Sequence, residues 1–402
     1  MKSTGIFTLV IVSFCYSLWA SVPDEYDPKH LFLTPDFQQE INTLTHSVLI
    51  QGNRFELLID AEPSLTKKIE LAKEAKLEIY ISTLVFVTYL DPLMQQLTDI
   101  LEQKAREGVA VYIIVDDLSA YADRSVLKKL EKSGVHVTYF NPTLDWDSFP
   151  INVRMHEKYM VVDHHKIVMG GQNMLDERFK MVPDGVLNWR DTDVYVEGPM
   201  AIYLSEHFRE VWADVNKQRI LHSDRRDAFP IREPTDIHTG EARFMYNEAH
   251  TGHKYINAFY LKLIQQAKQE IFWQGNQVAL NSEFEVALKE AADRGVKVTL
   301  MSNSSSSAWW QPGWYHYYAW VGYRPFRNSK VVLRLYQNRF NHSKIFYVDG
   351  VIASIGSFNH DRSSLETDAE SCMAIYDKAF IEAIRHQIDI DLFDTKPYIF
   401  PF

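Results

Sequence analysis

Cysteine is almost absent from this chain: 402 residues contain two, Cys15 and Cys372. Cys15 falls in the first twenty residues, MKSTGIFTLVIVSFCYSLWA, which read as a secretory signal. A mature chain would keep only Cys372, which excludes an internal disulfide and a cysteine-built zinc site. Val12, Ser13 and Phe14 before Cys15 make a poor lipoprotein box. Positive charge is also short. Lys and Arg number 42 against 53 Asp and Glu, a net charge of −11. The basic footprint of non-specific nucleic-acid binding is missing, so nucleic acid is not the expected partner, although a local pocket can be basic on an acidic protein. Long apolar runs are scarce. The one at Gly5–Trp19 has 15 residues and follows Lys2, which suits a signal peptide and is short for a membrane span. Cleavage after Ala20 is expected, with an uncleaved anchor or a buried first helix as the bland alternative. The sequence therefore reads as an exported protein, periplasmic or secreted, soluble or peripheral at a membrane.

Repetition is what the chain does have. Residues 64–87 and 255–278 both read as a helix followed by a strand. So do residues 99–117 and 286–304, where Gly108 and Gly295 mark the helix ends 187 residues apart. Helices alternating with β-branched strands imply α/β layers. Between the halves, residues 217–240 are polar, hold two prolines and end in glycine, which reads as a linker. The expected organisation is a signal at 1–20, a first lobe at 21–216, the linker, and a second lobe at 241–402.

One phrase recurs within this repeat. HEKYMVVD at 156–163 and HSKIFYVD at 342–349 share His-x-Lys-x(4)-Asp, 186 residues apart. Side chains two apart on a strand share a face, so His156 projects with Lys158 and His342 with Lys344. Asp163 and Asp349 sit where each strand turns into a hairpin, and Asp349-Gly350 is a strong turn pair. Both aspartates belong to the catalytic phrase but are expected to hold local structure more than to touch substrate. Asn173 and Asn359 each follow their histidine by 17 residues, so the hairpin returns them to the same end of the sheet. Two half-sites about a pseudo-twofold axis would pool two imidazoles, two ammoniums and two amides. Such a set suits a phosphodiester. Lysines and amides bind the non-bridging oxygens, one neutral histidine attacks phosphorus, and the other protonates the leaving oxygen. No metal-ligand spacing is visible, so neither metal nor cofactor is expected.

The full pattern, H-x-K-x(4)-D-x(6)-G-[GS]-x-N in two copies, closely resembles the phospholipase D superfamily over nearly the whole mature chain. The resemblance implies two pseudo-symmetric α/β lobes, each a mixed sheet flanked by helices, with one active site at their interface. It implies a phosphohistidine intermediate, no metal dependence, and phosphate binding by Lys158, Lys344, Asn173 and Asn359. The flanks RMHEKYMVVD, GGQNMLDERF, NWRDTDVYVEGP and GSFNHDRSSLETDAES are similar to bacterial cardiolipin synthases and related phosphatidyltransferases. In that family a carboxylate orients each histidine, and alignment makes Asp191 and Glu370 equivalent. The expected pairs are His156 with Asp191 and His342 with Glu370, with Asp193 as the alternative in the first half. The resemblance also assigns attack to His156 and acid catalysis to His342.

Two departures stand out. Arg362 lies one place earlier than the family's arginine, and Asp368 replaces its asparagine, which leaves headgroup and acceptor selection open. The expected partners are a phospholipid, a membrane surface met from outside, and water or an alcohol as acceptor, with the chain active as a monomer. A secreted nuclease and an inactive lipid-binding module are the competing readings. Residues 304–326, SSSSAWWQPGWYHYYAWVGYRPF, are dense in Trp and Tyr and could serve a lipid interface, an aromatic core or a carbohydrate surface.

Overall fold

Each half builds the same strand order around its repeated phrase. The computed structural model describes residues 26–88, 92–118, 124–142, 152–175, 189–217, 239–249 and 252–400. The signal-like segment and nearly all of the linker lie outside the described residues. The first half contributes β1 (Ile50–Ile59), β2 (Glu78–Thr83), β3 (Ala110–Asp116), β4 (His136–Phe140), β5 (Tyr159–Val162), β6 (Lys166–Gly170) and β7 (Thr192–Glu197). The second contributes β8 (Gly240–Asn247), β9 (Glu270–Gln274), β10 (Lys297–Asn303), β11 (Val332–Tyr336), β12 (Ile345–Val348), β13 (Ile352–Gly356), β14 (Glu370–Ile375) and β15 (Thr395–Pro397). The first half runs β1-β7-β6-β5-β2-β3-β4 and the second β8-β14-β13-β12-β9-β10-β11, with β15 added at the edge. The halves join where β1 pairs antiparallel with β8, giving one continuous mixed sheet of fifteen strands.

The expected helix–strand units form where the periodicity placed them. The helices are α1 (Pro35–Thr45), α2 (Ala61–Glu74), α3 (Pro92–Arg106), α4 (Arg124–Lys132), α5 (Met200–Asn216), α6 (Tyr255–Gln266), α7 (Ser282–Asp293), α8 (Gly313–Tyr323), α9 (Arg362–Glu366) and α10 (Lys378–Phe393). Gly108 and Gly295, at φ of +91° and +98°, end α3 and α7 in the left-handed region that glycine enters without penalty. Strands β2 and β9 are buried along their whole length, as strands covered on both faces must be. β1 and β8 were not anticipated. β1 reads IQGNRFELLI, in which polar residues break the alternation.

Among the described residues, three large apolar clusters fill the interior, with a small fourth around Tyr315 and Phe340. One lies within the first lobe, around Leu65, Ile81, Leu97 and Ile113. A second lies within the second lobe, around Phe259, Trp273, Leu288 and Phe346. The central one joins the lobes, mixing Met155, Tyr159, Met169 and Val194 with Ile345, Tyr347, Ile355 and Met373. α1, counted with the first lobe in the sequence, contributes Phe37 and Ile41 to the second-lobe cluster. Arg243 of β8 reinforces that crossover by donating to Gln38 and Asn42 of α1 at 2.7 Å each.

Candidate active site

Both His-x-Lys segments are extended lead-ins that stop just short of the ladder, so His156 and His342 precede β5 and β12 by a few residues. What fixes each is the opposite lobe. Met155 bridges Ala369, and Asn341 bridges Arg190. The His156 N–H donates to the Ala369 carbonyl at 2.9 Å, and the His342 N–H to the Arg190 carbonyl at 2.8 Å. Ala369 and Arg190 immediately precede Glu370 and Asp191, so each histidine lies beside the other lobe's carboxylate.

The orienting pairs are therefore crossed. His156 Nδ1 lies 2.8 Å from Glu370 Oε1, and His342 Nδ1 lies 2.7 Å from Asp191 Oδ2. This corrects the within-lobe pairing expected from sequence. Alignment identified equivalent carboxylates, but the interface hands each one across. Asp193, the alternative, serves another role: it accepts from Ser64 at 2.5 Å, from Lys68 at 3.0 Å and from the Gln172 N–H at 3.0 Å.

The lysines and asparagines repeat the symmetry. Lys158 and Lys344, both buried, donate to the carbonyls of His156 and His342 respectively. Asn173 Oδ1 accepts from the Val85 N–H at 3.3 Å, and Asn359 Oδ1 from the Asn276 N–H at 3.5 Å. Anchoring the oxygen of each amide turns its NH2 end the other way. Asp163 and Asp349 stand apart as turn anchors. Asp163 accepts from the N–H groups of Lys76, Leu77 and Glu78 at 2.8–3.0 Å. Asp349 accepts from those of Lys268, Gln269 and Glu270 at 2.7–2.9 Å, and His30 Nε2 lies 3.2 Å from it. Each aspartate ties its hairpin to the loop that enters the neighbouring strand, as expected.

Several site residues escaped the sequence reading. Ser357 and Ser364 both donate to Glu370. Ser357 occupies the position of Gly171, where an added Cβ would run into the Asp191 carboxylate. The variable [GS] position of the motif thus follows the carboxylate, with a short aspartate beside glycine and a longer glutamate bonded to serine. Arg190, fully buried, makes two bonds of 2.8 Å to Asp391 of α10 in the other lobe. Trp189 lies 5.3 Å from the His342 ring, centroid to centroid, and 5.6 Å from Trp310. On the His156 side Arg154 pairs with Asp116 at 2.9 Å, and its N–H donates to Asp368 at 3.1 Å.

Burial dominates the electrostatics. It holds the His156 imidazole pKa well below its usual value, helped by the charges of Lys158 and Lys344. Burial and Lys344 lower His342 to about 3, with Asp191 pulling the other way by charge and hydrogen bond. Burial, then the Lys344 charge, brings Lys158 down to about 7. Burial raises Glu370 to about 7 against the pull of Lys158 and the two serine hydroxyls. Asp368 is pushed well above the usual carboxylate range by burial and by Glu370. His156, Asp368 and Glu370 present potential ligand atoms within 4.8 Å of one another. The Glu370 oxygens already hold His156 and two serines, and two ammonium groups act on the same corner. That donor set suits an anion better than a cation.

Residues 68–212 and 260–392, one segment in each half, match the family described as "Cardiolipin synthase, PLD-like domain". The chain belongs to this family of phospholipase D-type proteins. It is 27% identical over 348 residues to cardiolipin synthase A of Pseudomonas syringae pv. syringae, covering 85% of this chain and 69% of that one. It is 26% identical over 348 residues to the cardiolipin synthase of Oceanobacillus iheyensis, covering 86% and 70%. Its fold resembles the crystal structure of phosphatidylserine synthase from Haemophilus influenzae Rd KW20, with a TM-score of 0.66 at 15% identity over 90% of both chains. The two-lobed phospholipase D fold expected from the repeated phrase is the fold observed.

Proposed function

We propose that the protein cleaves the phosphodiester of a phospholipid and passes the phosphatidyl group to an alcohol or to water. The observation that carries this reading is the crossed pairing. Each Nδ1 faces a carboxylate of the opposite lobe, which assigns the chemistry at both rings to Nε2. His156 Nε2 forms a P–N bond while the P–O bond to the leaving alcohol breaks. His342 gives that oxygen its proton. His342 then takes the proton of the incoming alcohol or water, whose oxygen displaces His156 from phosphorus. Lys158, Lys344, Asn173 and Asn359 receive the charge on the non-bridging oxygens throughout. Burial holds both rings neutral at rest, as the attacking His156 must be, and the anionic phosphate together with Asp191 favours the proton that His342 must carry once substrate is bound. The cationic work falls to the lysines, so the reading includes no metal. The signal-like first twenty residues support export, with the site meeting lipid from outside the cytoplasm.

The test is incubation of the purified protein with mixed phospholipids, with and without glycerol, in EDTA, followed by mass spectrometry. Phosphatidic acid without glycerol and a new phosphatidyl ester with it would support the reading. Absence of both products from every lipid would refute it, and loss confined to the EDTA samples would refute its metal-free part.

A further inference from the structure

We propose that α8 and the arginine pocket beside it form the surface by which this protein docks on an anionic phospholipid bilayer; this rests on the lipid reading of the site. α8 buries Tyr315 and Tyr323 but exposes its other Trp and Tyr rings, together with Trp309 just before it. Trp309 and Trp314 are 51% and 61% exposed, Tyr317 and Tyr318 are 59% and 56%, and Trp320 is 44%. The fold does not demand this. α4 holds the same place in the first repeat, between β3 and β4 as α8 lies between β10 and β11. α4 buries Leu127 and Leu130 and turns Arg124, Lys128, Lys129 and Glu131 to water. Aromatic rings left in water at a position where the duplicate helix carries charge are the mark of a contact surface. Trp and Tyr suit the headgroup layer of a bilayer, where one edge of the ring is wet and the other dry.

Charge selects the occupant. Between Asp293 and Asp349 the chain has no carboxylate but eight Lys or Arg, within a protein of net charge −11. Lys297, Lys330 and Arg339 pair with Glu270, Asp293 and Asp60, Lys344 lies in the catalytic site, and Arg324 and Arg327 flank α8. Beside α8 a pocket of about 420 Å³ is lined by Trp320, Arg324, Arg327, Tyr398 and Phe400. The Arg324 guanidinium lies 5.1 Å from the Trp320 ring centroid. A guanidinium stacked on an indole at the edge of an exposed aromatic face matches a lipid phosphate with its glycerol and upper acyl chain.

The surface is also continuous with the catalytic centre. Trp310 stacks on Trp189 at 5.6 Å, Trp189 lies 5.3 Å from the His342 ring, and Phe340 and Tyr315 complete this aromatic wall. Docking at α8 would place the bilayer where the apolar part of a lipid could follow the wall to phosphorus.

The test uses sedimentation with vesicles of phosphatidylcholine, with and without phosphatidylglycerol, in the His156→Ala background so that turnover does not alter the lipid. Binding that requires the anionic lipid and weakens with salt is expected. Arg324→Gln with Arg327→Gln should lower partitioning by about fivefold per arginine. Trp314→Ser with Tyr318→Ser should weaken the residual binding that survives high salt. In the His156-containing protein, the same changes should spare turnover of a short-chain phospholipid dissolved below its micellar limit and reduce turnover of vesicles. Absence of vesicle binding, or binding untouched by both pairs of changes, would overturn the proposal. If a pair fails to fold by circular dichroism, the single changes Arg327→Gln and Trp314→Ser decide in its place. Activity on the dissolved lipid without vesicle binding would refute the docking surface and leave the chemistry standing; vesicle binding without activity on any lipid would do the reverse.

Discussion

Burial and the facing lysines set opposite limits on the pH range in which this site can work. Burial raises the Glu370 carboxyl to about 7, so the ionised form that supports His156 is lost as pH falls through that value. Burial and Lys344 lower Lys158 to about 7, so its phosphate-binding charge is lost as pH rises through the same value. For the free enzyme, kcat/KM should therefore follow a bell centred near pH 7, whose limbs belong to the coupled pair and not to either residue alone. Glu370→Gln should remove the acid limb, keep the alkaline limb, and lower kcat by roughly 10²–10⁴-fold. pH profiles of both proteins check this, and an acid limb persisting in the variant would disprove it. The histidine ring signals in nuclear magnetic resonance test the crossed pairing directly, since this change should perturb His156 and leave His342 alone. Both carboxylates were legible from alignment. Which histidine each serves was not, because that depends on how two lobes meet, and no spacing within one lobe encodes it.

The hairpin that follows each catalytic phrase is where the two repeats diverge. Gly171 allows close approach of the Asp191 carboxylate, whereas Ser357 donates to Glu370. Gly171→Ala should displace Asp191, destabilise the protein by about 1–3 kcal/mol through overpacking, and lower kcat by at least roughly tenfold, as expected when an interaction that orients a catalytic acid is lost. Thermal melting and steady-state kinetics on one preparation would show both effects, and normal kcat in a folded variant would contradict the close approach. The turn aspartates predict the converse. Asp349→Ala strips acceptors from three backbone N–H groups and from His30. It should cost about 1–3 kcal/mol, the penalty for leaving buried donors unsatisfied, and lower the denaturant midpoint while the folded fraction keeps its kcat. A large fall in kcat without loss of stability would make Asp349 a participant in the chemistry. These roles were readable because a turn signature is local. The helix–strand alternation was readable for the same reason, since periodicity and glycine stops need no tertiary knowledge. β1 and β8 escaped because polar residues interrupt their pattern and because they are held chiefly by pairing with β7 and β14, strands distant in sequence.

At the scale of the whole molecule, the site exists only while the lobes stay locked. Arg190 and Asp391 span that interface, fully buried, with two bonds of 2.8 Å. Arg190→Gln leaves an uncompensated carboxylate and should cost about 3–5 kcal/mol, with loss of kcat as Asp191 shifts; a stable, active variant would remove the lock from this account. Because the lobes are parts of one chain, the two half-sites need not be alike, and their carboxylates show that they are not. Burial and the lysines lower the pKa of both histidines; the Asp191 charge and hydrogen bond oppose this at His342, whereas Glu370, itself raised to about 7 by burial, is the weaker counter-charge beside His156. His156 should therefore be the residue that carries the phosphatidyl group. A radiolabelled phospholipid with a good leaving group, quenched without acid during turnover and digested, should leave label on the peptide containing Arg154–Lys158. His342→Ala should increase that label, since breakdown needs the second histidine to activate the acceptor, and His156→Ala should abolish it. Label on the peptide containing Asn341–Lys344 in the unaltered protein would exchange the two roles, leaving the crossed carboxylates in place but reversing which of them serves the nucleophile.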